Sequence, residues 1–209
     1  EAAPAFEAGD DIHRTVAART WAVPPEDVTS ELRNRAKMVA YGLAYGMEVF
    51  GLAQRLGVST DEATGILEAY FSAFPGVRNY MESSVEEARQ KGYTETLFGR
   101  RRPIPELASD NFNVRQAGER QAMNAPIQGL AADIFKVALV GIDRGLNTAG
   151  LASRLVLQVH DEVLLEVEPS ELDQVTGLVT SVMGGAFDLR VELAVDMATG
   201  TSWADAKGG

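Results

Sequence analysis

No cysteine occurs anywhere in the 209 residues, so a disulfide framework and any thiolate-held metal are excluded. Absent thiols also fit a reducing, cytoplasmic setting. No unbroken run of 18 apolar residues exists, which leads to the expectation that nothing in the chain spans a membrane. The chain opens Glu1-Ala-Ala-Pro without an initiator methionine or a signal-peptide pattern, so the sequence is expected to be a piece of a longer protein. Positive charge is also scarce: 19 Lys and Arg face 30 Asp and Glu, for a net charge of −11. Taken alone, that balance argues against a surface for phosphates. Net charge governs solubility and steering, however, and a local basic stripe can coexist with an acidic remainder.

What is present restores that possibility. The acidic residues are scattered, whereas the basic ones gather at Arg33/Arg35/Lys37, Arg100-Arg101-Arg102 and Arg115/Arg120. Hydrophobic residues make up 45% of the chain, enough for one large domain or two small ones. No internal repeat or low-complexity segment is found.

Helix signals dominate the first two thirds. Asp10 or Asp11 caps a short helix through Arg19, and Val23–Asp27 reads as a loop. Thr29 or Ser30 opens a helix to about Tyr45, ended by Gly46. Val49–Leu56, a run from Ser59 to about Phe74, and Val77–Lys91 after the Pro75-Gly76 break are further helices. Gly92–Gly99 suggests a short strand pair or turn. Asn113–Ala125 and Gly129–Asn147 read as two helices, with Pro126 kinking or ending the first before Gln128.

The character then changes. Leu155–Val159 and Val163–Val167 are apolar, β-rich runs around His160-Asp161-Glu162, the pattern of a tight hairpin over Arg154–Val167. Its turn would hold an imidazole and two carboxylates. A helix over Pro169–Met183 and a third strand over Leu189–Asp196, by alternation, complete the reading. The fold class is therefore α+β and mostly helical, with a small antiparallel sheet near the C-terminus and a boundary near residues 105–115.

Two helical stripes can carry chemistry. Arg33, Lys37, Tyr41 and Tyr45 recur every four residues, each about 40° round from the last, so all four share one stripe. Two cations at its head are unlike a core face. Arg33 and Lys37 could pair with phosphate oxygens while Tyr41 and Tyr45 meet sugar or base. The spacing alone is equally that of a solvated amphipathic helix. Arg120, Asn124 and Gln128 form a second stripe able to donate to phosphate, sugar or minor-groove acceptors, and as bare spacing it is weak. His13, alone in a helix start, reads as structural.

Five co-linear segments change that weighing. Arg33-xxx-Lys37-xxx-Tyr41-Gly-xx-Tyr45-Gly46 resembles the fingers-helix motif of family A DNA polymerases, the bacterial DNA polymerase I type. Asp11-Ile-His13-Arg, the Thr96–Arg102 segment, Glu119-Arg120-xxx-Asn124-Ala-Pro-Ile-Gln128 with Asp133 beyond it, and Gln158-Val-His160-Asp161-Glu162 are similar to its other signatures, in the same order. The resemblance covers essentially the whole chain.

It implies fingers helices over residues 1–112, including a nucleotide-binding helix at about 30–45, then part of a palm over 113–209 with the hairpin 154–167. It implies template-directed addition of deoxynucleotides to a primer 3′ end, in DNA replication and repair. Deoxynucleoside triphosphates and primer-template DNA would be the partners, and two Mg²⁺ ions the cofactors of the complete enzyme. His13, Arg33 and Lys37 would hold the triphosphate, with Lys37 the proton donor to the leaving pyrophosphate. Tyr41 and Tyr45 would line the nascent base pair. Arg115, Arg120, Asn124, Gln128 and His160 would touch primer-template, Asp161 would ligate metal, and Glu162 would support it.

The departures matter too. The family's second metal-binding aspartate, in an Asp-Tyr-Ser-Gln-x-Glu motif, should precede Asp11-Ile-His13 and is not in this sequence. A missing upstream palm and thumb segment, in cis or in trans, is the implied partner, and the chain alone is expected to be inactive or nearly so. The alternative is a nucleotide- or nucleic-acid-binding half of a split or degenerate polymerase without catalysis. Leu130 stands where a small Ser or Thr is usual in the family.

Overall fold

Short polar side chains set where the helices begin. In the computed structural model, which describes residues 11–207, Asp11 Oδ1 accepts from the backbone N–H of His13 at 3.0 Å and of Arg14 at 3.2 Å. This opens α1 (Ile12–Thr20). Thr29 Oγ1 caps α2 (Ser30–Ala44) through Leu32 N, and Ser59 Oγ caps α4 (Thr60–Ala73) through Glu62 N. Between them α3 (Val49–Leu56) stops on Gly57, and α5 (Pro75–Lys91) starts on its proline. The segment Pro25–Asp27 is a 3₁₀ turn inside the expected loop.

Apolar faces of these four leading helices meet in one core. Val16 and Ala17 of α1 join Ala36, Val39 and Leu43 of α2, Leu52 of α3, and Ala63 and Ile66 of α4. Each fully buried Val, Leu or Ile side chain contributes about 1.5–3 kcal/mol. A second cluster, Val85, Ala88, Ile104 and Ala122, ties α5 to a hairpin of β1 (Tyr93–Glu95) and β2 (Arg101–Pro103) and to α6 (Phe112–Thr148).

Two expectations are corrected here. Pro126 neither ends nor divides the helix: α6 runs unbroken from Phe112 to Thr148 with Pro126 inside it. Proline removes one backbone bond, at a cost of about 3 kcal/mol or more. Buried Ala122 and Ala125 beside it, and Ala138, Ile142 and Leu146 beyond it, anchor both flanks. The third strand is also absent. Residues 189–196 form no ladder among the described residues, although Val191, Leu193 and Val195 are half-buried in alternation with exposed Glu192, Ala194 and Asp196. Side-chain alternation survives there without the backbone partner that a strand requires.

The C-terminal sheet is the pair β3 (Arg154–Val159) and β4 (Glu162–Glu166), antiparallel with an irregularity between Leu155 and Leu157. Leu155, Val163 and Leu165 pack on Ile142 and Leu146 of α6 and on Val175 and Val179 of α7 (Leu172–Gly184). Gly141 and Gly145 make that helix packing close, since added Cβ atoms would lie 2.6 Å from Val182 Cγ1 and 3.0 Å from Leu178 Cδ1. The outer face of the hairpin leaves Val156 and Leu157 more than 40% exposed. A last short helix, α8 (Trp203–Ala206), follows. The chain divides into two compact units between Leu130 and Ala131, within α6.

An 18-residue window of α6 reaches a mean hydropathy of 1.5. By length and composition alone it could cross a membrane, a property that unbroken apolar runs do not register. The core helix of a water-soluble protein meets the same criterion.

The base of the hairpin rests on one carboxylate. Glu171 accepts from Ala152 N at 3.0 Å, Ser153 N at 2.9 Å and Ser153 Oγ at 2.5 Å. These bonds hold its carboxyl below the ordinary value of 4.5. A lowered folded-state value contributes stability that is present above the unfolded value and lost as pH falls through that range. Glu171→Gln is therefore expected to lower the melting temperature at pH 7, with the difference from wild type shrinking towards pH 3. Thermal melts across pH 3–7 check it; a constant difference would assign the loss to shape alone.

Candidate functional site

The outer face of α2 carries the first group of chemistry-bearing side chains. Ala36, Val39 and Leu43 bury one side of the helix, which leaves Arg33, Lys37 and Tyr41 on the other. Lys37 Nζ lies 5.6 Å from the centre of the Tyr41 ring, a cation–π contact. From α1 the His13 ring meets the same tyrosine edge-on, at 5.6 Å between centroids and 86° between planes. Arg33 Nε donates to Asp11 Oδ2 at 2.5 Å. Four of the expected nucleotide-binding residues thus lie side by side on two helices.

The protonation state of His13 follows from this setting. Burial lowers its pKa first, the positive charge of Arg33 lowers it further, Asp11 raises it, and Lys37 lowers it again. The net direction is downward from 6.5, so the imidazole is neutral at pH 7. Its Nδ1 is buried without a hydrogen-bond partner. An orphaned acceptor is tolerated more readily than an orphaned N–H. We assign the proton to Nε2 on that ground, which makes His13 a donor.

Tyr45 lies just past the last residue of α2, as its C-cap, and is 61% exposed. Next to it Gly46 has φ +67°, and an added Cβ would stand 2.7 Å from Arg120 Cγ. Only glycine allows both the left-handed backbone and that approach. Arg120 of α6 also forms a loose ion pair with Glu48, Nη1 to Oε1 at 3.7 Å. Arg115, five residues earlier, donates to Ser109 O at 3.0 Å and stacks 5.9 Å from Phe112. Because α6 continues through Pro126, Asn124 and Gln128 follow Arg120 on one stripe, half-buried and exposed respectively. Beside Gly46 and Arg120 opens a cleft of about 570 Å³, lined by Met47, Phe50, Phe71, Met81 and Met123.

The second unit carries the other group. The turn joining β3 and β4 consists of His160 and Asp161, so Glu162 is the first residue of β4 and not a turn residue. His160 has φ +55°, and Asp161 is not among the positive-φ residues. A positive φ is uncommon outside glycine, and histidine is among the residues that adopt it more often. Gln158 Nε2 braces the turn by donating to His160 O at 2.9 Å. His160, Asp161 and Glu162 are all exposed. Lys207 Nζ pairs with Glu162 Oε1 at 2.8 Å and lies 5.1 Å over the Trp203 ring.

Asp161 and Glu162 supply hard oxygen donors of the kind magnesium takes, so the residues fit that ion. Among the described residues no group of three or more His, Asp or Glu side chains is gathered as a metal would need. Sequence reading passed over three partners: the Asp11 contact with Arg33, Glu48 beside Arg120, and Lys207 on Glu162. Asp11 was legible as a cap. No local signal links residues 22, 72 and 45 positions apart.

Comparison with known proteins gives the family of the chain. The sequence model of DNA polymerase family A matches residues 3–205. DNA polymerase I of Mycobacterium tuberculosis is 54% identical over 199 residues, which are 95% of this chain and 22% of the relative. DNA polymerase I of Geobacillus stearothermophilus is 48% identical over 203 residues, 97% of this chain and 23% of the relative. The chain thus spans less than a quarter of the length of these curated relatives. Among solved structures, the POL domain of Pol1 from M. smegmatis, in complex with DNA primer-template and dNTP, matches with a TM-score of 0.94 and 51% identity. The match covers 98% of this chain and 36% of that one. With a family match across nearly all of its length, the chain belongs to DNA polymerase family A.

Proposed function

We propose that this chain supplies the nucleotide-handling helices and one metal-binding carboxylate of a template-directed DNA polymerase. The observation that carries the reading is the shared face of α1 and α2, where a neutral His13 and Lys37 meet the Tyr41 ring and the charge of Arg33 reaches His13. Two cations and a neutral N–H donor suit a triphosphate, whose charge is spread over several oxygens.

In the reaction the primer 3′-hydroxyl gives up its proton to water and its oxygen bonds to the α-phosphorus as the bond to pyrophosphate breaks. Arg33 and His13 bind phosphate oxygens, and Lys37 transfers a proton to the departing pyrophosphate. Tyr41 and Tyr45 bound the new base pair. Arg115, Arg120, Asn124, Gln128 and His160 contact primer-template, mostly through phosphate and minor-groove acceptors. Asp161 would hold magnesium with Glu162 beside it; when bound, such ions neutralise charge on the phosphate oxygens. On this reading residues 1–112 act as fingers and 113–209 as part of the palm, in a cytoplasmic protein of DNA replication and repair with no membrane role.

A binding-only role for the chain by itself has one observation in its favour: among the described residues the carboxylates do not gather into a multi-ligand metal site. The test is primer extension with Mg²⁺, comparing this chain with a chimera in which it replaces the matching segment of the M. smegmatis POL domain. Extension by the chimera and none by the chain alone is expected. An inactive but folded chimera that still binds primer-template would favour the degenerate, binding-only alternative.

A further inference from the structure

One carboxylate joins two parts of the nucleotide face. Asp11 Oδ1 is spent on the backbone N–H groups of His13 and Arg14, which begin α1, and Oδ2 takes the Arg33 Nε–H of α2 at 2.5 Å. The first turns of the two helices are thereby tied through a single side chain. His13 leaves this junction on one helix and Arg33 on the other, 20 residues apart in sequence.

We propose that Asp11 is a positioning residue for the triphosphate, one that presets the Arg33 guanidinium. Resting on the proposed function above, the argument turns on which edge of the guanidinium is engaged. Asp11 holds Nε, and the two terminal nitrogens carry the remaining donors. A planar fork fixed at Nε offers those donors in one orientation, and less side-chain freedom is lost when phosphate oxygens arrive.

A rival role would be that of a competing anion that must be displaced before phosphate binds. The geometry favours preorganisation, because a phosphate on the terminal nitrogens need not break the Nε contact. Both side chains are also more than a third exposed, at 36% and 39%, so the pair itself contributes little to folding stability. The Asp11 carboxyl titrates below its usual range chiefly because of the Arg33 bond, so it is ionised wherever the protein is folded near neutrality.

The two oxygens do different work, which gives a clean test. Asp11→Asn retains an oxygen for the helix cap and presents an NH₂ group to Arg33, which cannot accept. The cap survives while the tether is lost. Binding of dATP with Mg²⁺ to the chain would be measured by calorimetry for wild type, Asp11→Asn, Asp11→Ala and Arg33→Ala, with a thermal melt of each.

Asp11→Asn is expected to raise the Kd about 5- to 10-fold with an unchanged melt, and Asp11→Ala at least as much with a small loss of stability. An unchanged Kd in Asp11→Asn, with weakening only in Asp11→Ala, would reduce Asp11 to a helix cap and overturn the proposal. Tighter binding in both would establish competition instead. Arg33→Ala separates the two levels of the argument: if it binds dATP as wild type does, the triphosphate reading of α2 fails, whatever Asp11 does.

Discussion

Replacing Asp161 by alanine in the chimera with the M. smegmatis POL domain is expected to lower the rate of primer extension about 10³-fold or more, with primer-template affinity nearly unchanged. The expectation begins with the turn. Asp161 occupies the second position of a two-residue turn whose first residue has φ +55° and is braced by Gln158. A short, rigid hairpin fixes its carboxylate better than a loop would. Charge neutralisation on phosphate oxygens is worth several kcal/mol, and each 1.36 kcal/mol is a factor of ten in rate. Glu162→Ala should cost much less, because Lys207 already engages that carboxylate at 2.8 Å. Single-turnover extension at saturating Mg²⁺ and nucleotide measures both. Equal losses in the two variants would mean that the carboxylates act as an equivalent pair.

How much of this was legible in the sequence depends on the range of the signal. Thr29-Ser30 and Ser59 announced their helices through hydroxyls that cap within three residues, and Thr29 and Ser59 do so here. The hairpin around His160 was visible because apolar runs of strand length flank a polar turn, and period-two patterning is strictly local. The stripe on α2 was visible in its spacing, and Ala36, Val39 and Leu43 show the opposite face buried.

Failures came where tertiary context outweighed a local rule. Pro126 is a breaker by propensity, yet both flanks of α6 are anchored by buried residues, and the helix carries through. Leu189–Asp196 has the alternation of a strand without a ladder among the described residues, since pairing belongs to the neighbour and not to the segment itself. The Asp11–Arg33 contact is a third case, being set by how α1 and α2 pack.

Tyr41→Phe is expected to raise discrimination against dideoxynucleotides in the same chimera by about 10- to 100-fold. Tyr41 is held through its ring, with Lys37 over it and the His13 ring perpendicular to it, both contacts that a phenylalanine ring can keep. Phenylalanine should therefore keep the ring where it is and delete one polar atom. On the proposed reading, that atom would stand by the sugar of an incoming nucleotide and would substitute for the missing 3′-hydroxyl of a chain terminator. A hydrogen bond involving a charged or polar ligand contributes about 1.5–3 kcal/mol when its loss leaves a partner unsatisfied, which is one to two decades in rate. The measurement is the ratio of kcat/KM for dTTP to that for ddTTP. Wild type should show a ratio near one, and Tyr41→Phe a ratio raised mainly through slower use of ddTTP. If wild type already discriminates strongly and the substitution changes nothing, the hydroxyl does not face the sugar, and the assignment of Tyr41 to the nascent base pair has to be abandoned with it.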